Sequence, residues 1–142
     1  MRNLKAYQLV WVSAILILLL SALGVNTTFD IKYHDTYFVS NLFHLGILFS
    51  LLLAFIGLIY WWISDKPAND RLQITHLGLT IGVMAAMLLT IFVNDKFFRL
   101  GFSTSKLINT CFFLVLLVLV VSQLLLVINV IIALMGRKKG LK

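Results

Sequence analysis

The stretch SNLFHLGILFSLLLAFIGLIYWWI, residues Ser40–Ile63, decides the fold because it is long, apolar and free of charged side chains. A helix needs about 20 mostly apolar residues to cross a hydrocarbon core about 30 Å thick. Three other stretches meet the same requirement: Tyr7–Val25, Ile74–Val93 and Leu107–Met135. The sequence therefore predicts an all-α polytopic membrane protein, a single domain over residues 1–142 in which four transmembrane helices form two helical hairpins.

Composition excludes most soluble folds. Of the 142 residues, 61% are hydrophobic and 12% are charged, and the mean hydropathy is +1.03. A soluble domain usually carries about 25% charged residues. The net charge of +7 comes from basic residues that lie between apolar runs and at the termini, not on one face. Nucleic acid is therefore excluded as a partner, and the lipid bilayer is the predicted surroundings.

The distribution of lysine and arginine predicts the orientation. The side that carries both termini has eight such residues: Arg2, Lys5, Lys66, Arg71, Arg137, Lys138, Lys139 and Lys142. The other side has four: Lys32, Lys96, Arg99 and Lys106. Because basic residues concentrate on the cytoplasmic side, both termini should face the cytoplasm, or the matrix of a mitochondrion. The predicted location is the bacterial cytoplasmic membrane or the mitochondrial inner membrane.

Aromatic residues agree with the predicted inward boundaries of the first two spans. Tyr7 and Trp11 lie near one boundary, and Tyr60, Trp61 and Trp62 lie near the other. Such rings prefer the interface between lipid and water. We therefore interpret all five as interfacial anchors.

Polar side chains within the predicted spans include His44, His76, Gln123 and Asn129. Each needs a hydrogen-bond partner or a functional role, because an unpaired polar group in hydrocarbon costs free energy. His76 is expected at the inward start of its span, where water reaches it. His44 has two interpretations: a ligand of haem or of another metal through a ring nitrogen, or a neutral structural residue that bonds to a neighbouring helix. Spacing alone favours the structural interpretation.

Other signals of chemistry are weak. His34 and Asp35 could contribute to a hard-metal site, although an adjacent pair in a loop more often forms a cap or a turn. The single cysteine, Cys111, lies in an apolar run and is interpreted as a core residue. No nucleophile–base pair, phosphate loop or zinc-ligand spacing occurs, so catalysis by this chain alone is poorly supported.

Small residues recur at intervals of four in the third span. Gly78, Gly82 and Ala86 would form a stripe that lets another helix approach closely. We favour ordinary packing within the bundle over a dedicated dimer motif.

The stretch Phe29–His44, FDIKYHDTYFVSNLFH, resembles a segment of haem–copper oxidase subunit I, the catalytic subunit of cytochrome c oxidase, that usually reads LDIxxHDTYYVVAHFH. The resemblance extends upstream through Gly24–Thr28, and downstream through Gln73–His76 and Ser103–Asn109. It implies that the chain corresponds to the last four of that subunit's twelve helices. It is strong in the loop and the second span and weaker beyond them.

The resemblance carries residue roles only where the residues match. The family motif ends in His-x-His, of which the first histidine binds the oxygen-reducing haem and the second binds the low-spin haem. Those positions are Leu42 and His44 here, so only His44 is a candidate haem ligand. The family's loop pair near the haem propionates and a magnesium ion corresponds to His34 and Asp35, which are candidate metal residues. The helices that supply the other haem and copper ligands have no counterpart.

Three hypotheses follow from these residues. In the first, the chain is a non-catalytic accessory subunit of a respiratory or other energy-transducing membrane complex, without enzymatic activity of its own. The HDTY loop then serves architecture, with Asp35 and Thr36 satisfying backbone groups at a helix start. In the second, it is a small electron-transfer protein that binds haem through His44, with a second ligand from another chain or from a second His44. In the third, it is a homo-oligomeric structural or transport bundle.

Overall fold

Four helices make up most of the chain, and a two-stranded β-hairpin lies between the first and the second. The computed structural model describes residues 5–66, 69–93 and 102–136. The elements in chain order are α1 (Ala6–Ala22), β1 (Thr28–Tyr33), β2 (Thr36–Asn41), α2 (Leu42–Trp62), α3 (Asp70–Val93) and α4 (Phe102–Met135). We call the end of the bundle that carries β1 and β2 the hairpin end, and the opposite end, which carries Lys5, the termini end.

Some residues used in the sequence analysis lie outside the description. These are Arg2, Lys96, Arg99 and the basic residues from Arg137 to Lys142. The backbone but not the side chain is described at Lys32, Lys106 and Cys111. The charge count behind the predicted orientation therefore rests largely on residues beyond the described part of the chain.

Three of the helices are long and apolar enough to cross a membrane. They are α2, α3 and the part of α4 from Phe112 to Met135. Helix α1 is also apolar but has 17 residues, which is about 25 Å at 1.5 Å per residue. The prediction of an integral membrane protein with four helices is confirmed to this extent, and the helix bounds differ from the predicted spans by a few residues.

The β-hairpin corrects the all-α prediction. Strands β1 and β2 pair antiparallel from Thr28↔Asn41 at the base to Tyr33↔Thr36 at the tip. Both strands are rich in β-branched and aromatic residues, which favour extended backbone. His34 and Asp35 form the two-residue turn, and His34 has a φ of 53°. A positive φ at the first turn position suits the right-handed twist of the strands. The segment is therefore a pair of strands and not the loop expected from the sequence.

Asn41 joins the hairpin to α2. Its Oδ1 accepts a hydrogen bond from the backbone N–H of Phe43 at 2.7 Å, and its Nδ2 donates to the carbonyl of Val25. Asn41 therefore caps α2 in the way expected of asparagine. The expectation that Asp35 and Thr36 lie at a helix start is wrong, because these residues lie at the opposite tip of the hairpin.

Helices α1 and α2 pack at close range. A Cβ added at Gly46 would collide with the side chain of Ser21, and one added at Gly57 would collide with Trp11. Ser50 Oγ also donates to the carbonyl of Ala14 at 2.8 Å. Small residues allow this approach, which dispersion and interhelical hydrogen bonds stabilise in a membrane.

Helices α3 and α4 form the second pair, and Thr80 Oγ1 and Ser122 Oγ bond to each other across it at 3.1 Å. The predicted arrangement of two helical hairpins is thus present. Contact between the pairs is sparser than contact within them. A cavity lies between the two pairs at the termini end, lined by residues of α1, α2 and α3.

Candidate functional site

The motif residues at the hairpin end are dispersed. His34 and Asp35 are exposed at the tip of the hairpin, whereas His44 lies in the first turn of α2 beyond its base. The five steps from Thr36 to Asn41 span about 17 Å of extended chain. Across residues 5–66, 69–93 and 102–136, no group of three or more His, Cys, Asp or Glu side chains could hold a metal ion. The adjacent pair alone would leave most of a metal's ligands to be supplied from elsewhere.

Leu42 occupies the first ligand position of the resembled motif, and its side chain is packed inside the bundle. It is 1% exposed, and a Cβ added at Gly24 would collide with it. The backbone N–H of Leu42 bonds to the carbonyl of Thr27 at 2.9 Å, which fixes the start of the helix. An aliphatic side chain has no donor atom for iron. The position is therefore part of the apolar core.

His44 lies on the opposite side of α2 and is exposed. Exposed residues continue along this side at alternating intervals of four and three: His44, Leu48, Leu51, Phe55, Leu58 and Trp62. We call this set the α2 stripe. The described helices leave it uncovered, so any partner of the His44 imidazole on this side must come from outside the described chain.

A buried polar cluster lies at the termini end. Tyr60 Oη and His76 Nδ1 are 3.0 Å apart, and the two rings lie 5.9 Å apart at their centroids. Asn129 of α4 lies beside the Tyr60 hydroxyl, and Gln123 lies beside the His76 ring. Asn129 Oδ1 also accepts a hydrogen bond from the backbone N–H of Asn69 at 3.0 Å. The cluster thus ties the start of α3 to both α2 and α4.

His76 is completely buried, with an exposed fraction of 0%. The expectation that water reaches it is wrong, because α2 and α4 cover the first turns of α3. His76 Nε2 and Asn129 Nδ2 have no hydrogen-bond partner among the described residues. A buried polar atom left unsatisfied costs about 1–3 kcal/mol. The cluster therefore contains two nitrogen atoms whose hydrogen-bonding potential is not satisfied within the described residues.

A cavity of about 1110 Å³ adjoins this cluster at Tyr60. One wall comes from Leu9 and Ser13 of α1, and the other comes from α3. Gly78 and Gly82 are in that second wall, and a Cβ added at either would meet nothing within 4 Å. The prediction that these two glycines pack against another helix of the bundle is therefore wrong. They line open space instead.

The rim of this cavity is polar and carries charge. It includes Lys5, Lys66, Asp70 and Gln73, whereas the interior is mainly aliphatic. Lys66 Nζ lies 4.2 Å from the centroid of the Trp62 ring, within the range of a cation–π contact. The cavity is therefore amphipathic along its length, with its polar end at the termini end of the bundle.

His76 and Asn129 are expected from the sequence to need partners, whereas Tyr60 is expected as an interfacial anchor and is instead buried, at 1% exposed. One signal could have paired Tyr60 with His76. The two residues flank the short link between α2 and α3, and antiparallel helices joined in this way place such positions at similar depth. A polar ring on each side of the link is thus a candidate pair.

Comparison with known proteins adds no further constraint, since no family model, curated protein or solved structure matches the chain.

Proposed function

We propose that this chain is a non-catalytic membrane subunit, similar to the C-terminal part of haem–copper oxidase subunit I, that packs into a larger assembly of a respiratory or other energy-transducing membrane. The observation that carries the proposal is the contrast at the start of α2. Leu42 is buried where the motif would need an iron ligand, and His44 faces out of the chain two residues later. Leu42 cannot bind the iron of an oxygen-reducing haem, whereas the outward side of α2 is free to contact a partner.

The α2 stripe supports a protein partner. A histidine on an otherwise apolar helix face is costly when lipid surrounds it, and a hydrogen bond from another helix offsets that cost. The alternating spacing of four and three is the spacing of residues along a seam between two helices. We infer that a helix of another subunit covers the stripe and offers a hydrogen-bonding group near His44.

In this proposal α1 is the fourth membrane span. It packs along α2 through Ser21 and Trp11 and so shares its depth, and its 17 residues meet the lower limit of about 17 for a span. Both termini then lie on the cytoplasmic or matrix side, and the turn at His34 and Asp35 lies on the outer side, as the positive-inside rule favours.

Site-specific photo-crosslinking in native membranes tests the partner surface. A photoreactive phenylalanine analogue replaces Leu51, in the middle of the α2 stripe, and the adducts are identified by mass spectrometry. We expect one discrete adduct with a different membrane subunit. Leu16 of α1 is a matched control, since it is 59% exposed against 65% for Leu51, and it should give no such adduct. An adduct with a second copy of this chain at Leu51 would favour the homo-oligomeric bundle.

The exposure of His44 also favours one alternative, a haem held between this chain and another. The imidazole is accessible from outside the chain, and a second ligand could come from another subunit or from a second His44. An absorption spectrum of the purified protein tests this function. The accessory-subunit proposal expects no Soret band from this chain, whereas a band that disappears in His44→Ala would establish haem binding.

A further inference from the structure

The cavity at the termini end combines a charged rim with an apolar interior. Lys5, Lys66 and Asp70 lie at the rim. Deeper positions are Leu77, Ile81 and the two glycines of α3. A ligand that fits this arrangement has a polar group at one end and a hydrocarbon portion at the other.

The depth of the cavity matches one leaflet of a bilayer. Its α3 wall runs from Asp70 to Gly82, which is about 18 Å of helix at 1.5 Å per residue. Its α1 wall runs from Lys5 to Ser13, which is about 12 Å on the same scale. Half of the hydrocarbon core is about 15 Å. A single acyl chain from one leaflet would therefore lie along the cavity with its headgroup at the rim.

The charge of the rim selects among headgroups. Lys5, Lys66 and Asp70 line the rim, so it carries two positive charges and one negative charge and is positive on balance. Lys5 Nζ lies 5.9 Å from the centroid of the Tyr7 ring, and Lys66 Nζ lies 4.2 Å from the centroid of the Trp62 ring. Lysine binds phosphate as a point charge. A zwitterionic headgroup would bring its own cation towards the two lysines, and the repulsion would weaken its binding.

We propose that this cavity binds one anionic glycerophospholipid, with its phosphate at Lys5 and Lys66 and one acyl chain along the glycine-lined wall of α3. The site does not depend on the accessory-subunit proposal, because every residue in it belongs to this chain. A bound lipid would contact both helical pairs, since α1, α2 and α3 all contribute to the walls.

Native mass spectrometry of the delipidated full chain in detergent tests the site. Dioleoylphosphatidylglycerol and dioleoylphosphatidylcholine are added at equal concentration, and bound adducts are counted. We expect one tightly bound phosphatidylglycerol and at least tenfold weaker binding of phosphatidylcholine. Lys5→Gln and Lys66→Gln should each weaken phosphatidylglycerol about fivefold, the usual scale for one basic side chain near an anionic lipid. Arg71→Gln is the matched control and should have no effect, because Arg71 is exposed at the same end but is not in the cavity wall.

Two further variants address the carboxylate and the apolar wall. Asp70→Asn should strengthen phosphatidylglycerol binding, because it removes the opposing charge. Gly78→Leu with Gly82→Leu should fill the interior and abolish binding of both lipids. A Cβ added at either glycine would meet nothing within 4 Å, and circular dichroism checks that the helices remain. The lysine variants test the site independently if this pair does not fold.

Three results would overturn the proposal. Equal binding of the two lipids would remove the role of charge, and equal loss in Arg71→Gln and Lys66→Gln would indicate a diffuse surface effect. Binding of glycerol 3-phosphate as tight as that of the lipid would show a site for a soluble anion.

Discussion

The two ends of the bundle distribute their polar residues in opposite ways. At the hairpin end, His34 and Asp35 are exposed at a turn and His44 is exposed on an uncovered helix face, whereas the aliphatic Leu42 is buried. At the termini end, a polar cluster is buried that no sequence motif indicates; it contains Tyr60, His76 and Asn129. The motif-like residues and the buried polar cluster thus lie at opposite ends of the bundle.

The largest expected effect on stability is at Leu42, the buried residue at the start of α2. Leu42→Ala removes a buried side chain against Gly24 and should lower the free energy of unfolding by about 2–5 kcal/mol. Unfolding in mixed micelles with increasing dodecyl sulfate, followed by tryptophan fluorescence, measures it. Leu48→Ala on the exposed side of α2 is the control and should change the free energy by less than about 0.5 kcal/mol. Equal losses in the two variants would mean that Leu42 is not a core residue.

The next largest effect is expected in the buried cluster, where Tyr60 contacts His76. His76→Phe leaves the Tyr60 hydroxyl without its ring-nitrogen partner and should cost about 1–3 kcal/mol of unfolding free energy. Adding Tyr60→Phe removes the other partner and should restore part of that loss, because replacing both groups is less costly than orphaning one. A double-mutant cycle in the same assay measures the coupling. Strict additivity of the two substitutions would contradict the contact.

A smaller effect is expected at the tip of the hairpin. His34→Val places a β-branched residue at a φ of 53°, which should cost about 1–2 kcal/mol. His34→Gly should cost less than His34→Val, because glycine adopts positive φ readily. The comparison of Val with Gly separates backbone geometry from side-chain chemistry. A stability loss that is as large with Gly as with Val would assign His34 a role through its imidazole.

The smallest effect on the isolated chain is predicted at His44. His44→Ala should change the free energy of unfolding by less than about 0.5 kcal/mol, since the side chain is exposed. The same substitution should reduce the yield of the Leu51 crosslink in native membranes, because it removes a polar group from the proposed interface. Unchanged crosslinking would place the partner away from His44.

Hydropathy predicted the four helices because a membrane span must be mostly apolar along its whole length. It placed the second span at residues 40–63 and the structure begins α2 at Leu42, because the cap is Asn41. The β-hairpin was missed since its alternating residues were interpreted as a loop around the motif. Sequence could place Thr36 near a helix but could not show that it pairs with Tyr33 at a turn.

The termini end was harder to predict, for a physical reason. The burial of His76 depends on α4 crossing its first turns, which is a tertiary contact with no local signal. Glycines at intervals of four are equally compatible with a tight helix contact and with a gap. The glycines of α2, Gly46 and Gly57, lie at a tight helix contact although they are not spaced by four, whereas Gly78 and Gly82 border a gap. Only the positions of the neighbouring helices distinguish the two outcomes.

Purification of the chain from its native membranes in a mild detergent, with mass analysis of the intact particle, tests the central claim most directly. The accessory-subunit account predicts a heteromeric complex that contains other membrane subunits, including at least one redox protein, and that weakens when the α2 stripe is disrupted. A particle that contains only this chain, whether monomeric or homo-oligomeric, would contradict it.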